Sequence, residues 1–297
     1  MTGKLNLQQF LIDNKMAEKI FYKYKSCAGD IGSTGTPYAY LLDTLKNKYF
    51  YLTRPELLND PMDCKCYDNF NASFNDMNTW LNEVGREFFS EKIDIHELKR
   101  LSKLNSFQCQ MRQGNERERQ HLHIFSVTEN FDSPEMWDKY ADDYTGVCLG
   151  FKAVQVNPPY PTFFFEINPN QNLPIVGGAY SINGKEYVHL MKVNYDHKNR
   201  IDYKLFRSWD KKERNKLAEA FLHKNKERWS YENESRVIVF DYEPRNQGTI
   251  DILIHYPDYV LAEVYFGHDI DVTKEKEIIN LLKDNYSNFN SINIHRI

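Results

Sequence analysis

Apolar residues in this chain gather into short segments rich in β-branched and aromatic side chains, and these alternate irregularly with charged stretches of helical period. KIFYKYK (19–25), YFYLTR (49–54), HIFSVTEN (123–130), GVCLGF (146–151), YVHLMKVNY (187–195), RVIVF (236–240), LAEVYFG (261–267) and INIHRI (292–297) have strand length and composition. Helical spacing of apolar residues predicts helices over 4–19 (Leu5, Phe10, Leu11, Met16), 38–48 (Leu41, Leu42, Leu45), 203–227 (Leu217, Phe221, Leu222) and 273–286 (Ile278, Ile279, Leu281, Leu282). Residues 74–120 are helical and charged, with Trp80, Leu81, Val84, Phe88 and Phe89 at helical spacing. In DSPEMWDKY, Ser133 is an N-cap candidate, Pro134 fits the first helical position, and Glu135 suits the first turn. The Pro/Asn/Gly-rich stretch 155–185 predicts a long irregular loop. Because strands and helices do not alternate as βαβ units, the expectation is an α+β fold with a mixed or antiparallel central sheet and flanking helices. No linker divides the chain, so residues 1–297 are expected to form a single domain with a helical insertion at 67–120.

At 297 residues and 41% hydrophobic composition the chain can bury a core, and its net charge of −4 gives no global field for nucleic acid. The five cysteines are odd in number and lack zinc-module spacing, so no metal is expected and reduced thiols in the cytoplasm are. The first residues, MTGKLNLQQFLIDNK, are too polar for a signal peptide, and no window reaches the ~18 apolar residues of a membrane span. The Gly/Ser/Thr loop at 27–37 has the spacing of neither a dinucleotide turn nor a P-loop.

Four local groups carry chemistry-bearing side chains. In RWSYENESRVIVF, the alternation of an extended chain would put Glu232, Glu234 and Arg236 on one face at the mouth of a buried strand. That is either a surface ion-pair ladder or a site. Arg54, Asn59, Asp60 and Asp63 stand in TRPELLNDPMD, a turn by its Asn-Asp-Pro content, which aims side chains into a cleft or simply caps itself. Ser126 and Thr128 share a face of one strand, suited to ribose or phosphate oxygens or to ordinary polar alternation. Trp137 and Tyr140 lie three apart on a helix, where they would stack a flat ring or pack the helix onto a sheet.

Together the blocks FYKYK, LLNDPMDC, FSVTEN, MWDKYAD, GVCLGF and WSYENESR, from about Tyr22 to Gly267, resemble in order those of the bacterial domain-of-unknown-function family DUF2971. One departure is Tyr144, where that family often has a His two residues before the Gly of TGVCLGF. The order of parts is also similar, at superfamily level, to mono-ADP-ribosyltransferases. That second resemblance implies a split sheet and NAD as the bound nucleotide. It places Lys23 or Tyr24 on a first nicotinamide-side strand, Ser126 and Thr128 on a central strand, and Glu232 and Glu234 on a catalytic one. Under it Trp137 and Tyr140 wall the nicotinamide, Arg54 pairs with the pyrophosphate, Asn59 and Asp60 belong to the cofactor-binding set, Glu234 is the catalytic carboxylate with Glu232 acting on the acceptor, or the reverse, and Arg236 braces one of them. The implied function is an NAD-dependent transferase or glycohydrolase, a toxin or phage-defence effector acting on a protein or nucleic-acid acceptor. The alternatives are a non-enzymatic nucleic-acid or protein sensor, drawing on the basic runs 86–120 and HKNKERW (223–229), and a metal-dependent nuclease using Asp60, Asp63, Glu232 and Glu234.

Overall fold

The computed structural model describes residues 17–83, 89, 93–156, 162–169, 179–182, 184–198, 201–207, 216, 218–241 and 252–297. The expected helix at 4–19 falls outside the described residues apart from its last three positions, as do Val84, Phe88 and Leu217. The strands are β1 (Ala17–Lys25), β2 (Tyr49–Leu52), β3 (Cys66–Asn69), β4 (Leu122–Thr128), β5 (Val147–Val156), β6 (Thr162–Ile167), β7 (Ala179–Ile182), β8 (Lys185–Lys192), β9 (Asn194–Asp196), β10 (Ile201–Lys204), β11 (His223–Asn225), β12 (Glu234–Phe240), β13 (Ile252–His255), β14 (Leu261–Phe266) and β15 (Asn293–Arg296). The helices are α1 (Pro37–Asn47), α2 (Phe74–Glu83), α3 (Ile95–Leu101), α4 (Asn105–Gln120), α5 (Pro134–Tyr140), α6 (Lys226–Trp229) and α7 (Val272–Asn285). The fold is α+β with largely antiparallel sheets.

The chain divides into two compact units, the first made of Met1–Thr53, His123–Lys192 and Tyr231–Ile297, the second of Arg54–Leu122 and Val193–Ser230. In the first unit the strands run β1-β4-β12-β8-β6-β5, and β5 returns to pair with β1, closing the circuit. β1 lies antiparallel to β5 along its whole length, from Ala17 opposite Gln155 to Lys25 opposite Val147. The other edge of β5 is shared, Val147 to Phe151 by β14 and Val154 to Val156 by β6. Alternate residues point inward, so Phe21, Phe125, Val127, Leu149, Phe151, Phe165, Val188, Val237 and Val239 fill one buried cluster. Phe50 of β2 sits among them, its ring stacked on Phe125 at 4.5 Å and against Tyr256, Phe165 and Phe151 at 4.7, 5.0 and 5.1 Å. α1 and α7 extend the same core through Leu41, Leu45, Ile278 and Leu282.

The second unit has its own core of Met77, Trp80, Leu98, Phe107, Tyr203, Leu205 and Phe206. The helices of 74–120 thus share their interior with a later segment. Two short parallel pairs, β3 with β10 and β9 with β11, complete it. Of the cysteines, Cys27, Cys64 and Cys148 are buried and Cys109 on α4 is exposed.

Two expectations are corrected. The stretch 155–185 is not all loop: TFFFEI forms β6, hydrogen-bonded on both sides to β5 and β8, and Ala179–Ile182 adds β7. Aromatic and β-branched content decided there against the flanking Pro and Gly. Nor is 203–227 one helix. Ile201–Lys204 is a strand followed by a 3-10 turn at Leu205–Arg207, and past residue 220 the chain turns into β11. A new one-turn helix then starts where the Asn225 side chain accepts the Arg228 N–H.

The turn YADDYTG carries three successive non-glycine residues in left-handed conformation, Asp142 (φ 48), Asp143 (φ 50) and Tyr144 (φ 64). Such backbone costs about 1–2 kcal/mol per residue. Tyr144 stacks on Trp137 at 5.2 Å, and the carbonyl of Ala141 accepts from Gly146 at 2.8 Å, holding the turn. Gly146 has no room for a side chain: a Cβ there would lie 2.3 Å from the Lys25 carbonyl oxygen. Asp143→Gly should therefore stabilise the protein by about 1 kcal/mol, whereas Gly146→Ala should destabilise it by about 1–3 kcal/mol or more. Chemical denaturation of both variants checks the pair.

Candidate functional site

In the first unit β4 stands between β1 and β12, although the three strands come from far apart in the chain. Tyr22 pairs with Thr128 across β1 and β4, so these residues and those two positions away share one face. α5 packs over it: Met136, Trp137 and Ala141 bury against Tyr22, Tyr24 and Cys148. Trp137 is fully buried, donates its indole N–H to the Phe131 carbonyl at 2.9 Å, and meets the Tyr24 ring edge-on at 5.2 Å. The Tyr24 hydroxyl donates to the Asn130 carbonyl at 3.0 Å, and the Thr128 hydroxyl accepts the Asn130 N–H at 3.2 Å. These groups knit the fold. Burial pushes the Tyr24 phenol well above its ordinary pKa. Ser126 and Lys23 are half-buried, the Lys23 ammonium standing 5.4 Å from the centroid of the Phe125 ring.

The expected shared face of Glu232, Glu234 and Arg236 holds for only two of them. β12 begins at Glu234, and Arg236 forks its carboxylate, Nε donating to Oε1 at 2.7 Å and Nη2 to Oε2 at 3.0 Å, with both side chains buried. Glu232 ends the 3-10 turn Ser230–Glu232, and Asn233 between them is left-handed (φ 43), which breaks the extended alternation. Glu232, also buried, accepts a hydrogen bond from the Tyr140 hydroxyl. Burial first, and then that carboxylate, push the Tyr140 phenol far up. Beside them the Lys139 ammonium stands 4.0 Å from the centroid of the half-buried Tyr231 ring.

A second polar group lies at this end of the circuit and was not read from the sequence. Glu129, just past β4, accepts from Lys19 of β1 at 2.5 Å and from Lys192 of β8 at 2.7 Å. Lys192 also donates to the Asn233 side-chain oxygen at 2.6 Å and to its carbonyl at 3.2 Å. Only the alternation of each strand, putting Lys19 and Lys192 on the inward face at strand ends, could have signalled it.

In the second unit Arg54 pairs with Glu56 at 3.2 Å, and Asn59 is exposed. Asp60 accepts the Met62 N–H at 2.9 Å, so this turn caps itself. Asp63 and Lys224, both buried, form an ion pair at 3.6 Å. Among the described residues no group of three or more His, Cys, Asp or Glu side chains is arranged to hold a metal, and no helix is long and apolar enough to cross a membrane.

Residues 136–237 match the model of the family DUF2971, described as a protein of unknown function. The resemblance to that family holds over this stretch, which runs from α5 through the Glu-x-Glu segment and β12. No curated protein and no solved structure matches the chain significantly. The Tyr144 ring, on the turn after α5, lies 4.5 Å from the imidazole of His268.

Removing the guanidinium in Arg236→Met strands a buried carboxylate and should cost about 3–5 kcal/mol, readable by urea denaturation. Glu129 gives a pH test. Burial alone would raise its pKa, but the hydrogen bonds and charges of Lys19 and Lys192 outweigh this and hold it below the ordinary carboxylate range. The depressed folded pKa adds stability that is fully present above the unfolded-state value and is lost as pH falls toward the folded one. Stability measured from neutral pH downward should decline through and below the ordinary glutamate range, and Glu129→Gln should flatten part of that decline.

Proposed function

We propose that the first unit is a catalytic module that cleaves the nicotinamide–ribose bond of NAD and passes the ADP-ribosyl group to water or to a macromolecular acceptor. One observation carries this reading. β1, β4 and β12, the strands bearing the first-strand Lys23/Tyr24, the Ser126/Thr128 pattern and Glu234, are neighbours in one sheet. α5 and the Glu232 turn lie beside them, joined through Tyr140.

Breaking the C–N bond sends its electron pair out with nicotinamide and leaves oxocarbenium character on the ribose, as in glycoside cleavage. A carboxylate fixed beforehand stabilises that charge without reorganising. Glu234, forked by Arg236, is such a fixed group and takes this role. Glu232, on the irregular turn, accepts the proton of the attacking hydroxyl as the new C1′–O bond forms. Tyr140 and Tyr231 remain partly exposed and offer ring faces to nicotinamide, while Tyr24, Thr128 and Trp137 act behind them as packing. Lys139 supplies a cation on the same helix for a phosphate.

The sensor alternative has less support, because three of the basic residues it draws on are engaged: Arg100 with Glu97, Arg119 with Glu116, and buried Lys224 with Asp63. The nuclease alternative lacks a ligand cluster among the described residues.

Incubation with NAD, followed by chromatography, should release nicotinamide, and Glu234→Gln should lower the rate by at least about 100-fold while the variant still unfolds cooperatively. No release, with and without cell extract as acceptor, would sink the proposal.

A further inference from the structure

Polar features outside the proposed catalytic pair include the buried Asp63–Lys224 pair, the half-buried Glu263 that accepts from Tyr22 and Tyr265, and the Lys19–Glu129–Lys192 group. The first two are satisfied within the fold. The third reaches the Glu-x-Glu turn directly.

We infer that Lys192 is a positioning residue that sets the angle between Glu232 and Glu234 by clamping Asn233 in its left-handed conformation; the inference rests on the functional reading above. Asn233 is the one residue between the two glutamates, and at φ 43 it pays a steric penalty that an extended residue would not. Were it extended, Glu232 would continue the alternation of β12 and fall on the face of Glu234 and Arg236. Turned, Glu232 instead meets Tyr140. The Lys192 ammonium spends two of its hydrogen bonds on Asn233, one to the side-chain oxygen at 2.6 Å and one to the carbonyl at 3.2 Å. A donor that bridges these two oxygens holds side chain and backbone of that residue together. Its third contact is the Glu129 carboxylate at 2.7 Å, which Lys19 shares at 2.5 Å. The ends of β1, β4 and β8 thereby become the anchor for the turn that enters β12. Ser235, two residues after Asn233, pairs directly with Lys192 across β12 and β8, so the strand register brings the ammonium near the turn. The lysine touches neither proposed catalytic carboxylate in these contacts, and so it acts through Asn233.

The test reads the angle independently of turnover. In protein carrying 13C at tyrosine Cζ, the Tyr140 signal is assigned by its loss in Tyr140→Phe; its shift reports the hydrogen bond to Glu232. Lys192→Met should move that signal toward the values of exposed tyrosines, with a cooperative unfolding transition retained. It should also slow nicotinamide release by on the order of 100-fold, as misplacing a catalytic group does. Asn233→Ala, which removes the side-chain acceptor and strains the left-handed backbone, should move the signal the same way, and carries the test should Lys192→Met not fold. The double variant should add nothing to the larger single effect, because both changes break one device. A Tyr140 signal unmoved in both single variants, or shifts that sum in the double, overturns the clamp. If the wild type releases no nicotinamide, the functional reading falls while the clamp is still decided by the Tyr140 signal.

Discussion

β1 is hydrogen-bonded on both edges, to β5 along its whole length and to β4 at Tyr22, and that pairing turns an open row of strands into a closed circuit. Closure leaves an interior that must be filled, and aromatic side chains fill it, with Phe50 seated between Phe125, Phe151 and Phe165. The inward set fixes the register of every strand, since a slip by one residue would exchange Phe21 for Tyr22 and Val237 for Arg236. The outward face follows automatically. It is there that Tyr24, Thr128, Glu234 and Arg236 lie, buried, and there that α5 lays Trp137 against the sheet.

Two kinds of polar device finish the site on this frame. Arg236 forks Glu234 within the strand, a short-range link between residues two apart. Lys192 and Lys19 work at long range, tying β8 and β1 to the segment after β4 and to the turn before β12. The first pair is buried, so its arginine needs its acid and its acid the arginine; the lysines and Glu129 keep part of their surface in water. The left-handed turn at Asp142 to Tyr144 is held differently, by ring stacking and by glycines that admit backbone to close range.

Most strands were legible as local composition, because β-branched and aromatic runs such as FSVT and RVIVF bury on both faces or nearly so. The fate of single residues was less so. Glu232 and Glu234 look equivalent in a string, and a single positive φ at Asn233 separates them. Asn is among the residues that accept this conformation, but many asparagines do not adopt it. TFFFEI hid between proline and glycine, and its strand character came from pairing on both sides, which sequence does not display. The helix expected at 203–227 is broken at both ends, by a strand and 3-10 turn at 201–207 and by β11, where Lys224 is buried in a pair with Asp63. Trp137 and Tyr140 sit three apart as read, yet one is buried and the other half-exposed, and only packing decides which.

The distribution of thiols has a practical side. Cys27, Cys64 and Cys148 are enclosed, whereas Cys109 stands on the exposed surface of α4 in the second unit. A maleimide dye added to the native protein under mild conditions would settle first at that position, giving a fluorescent label without any engineered cysteine. Such a probe would follow the local environment of the second unit alone, leaving the carboxylate-bearing sheet chemically untouched.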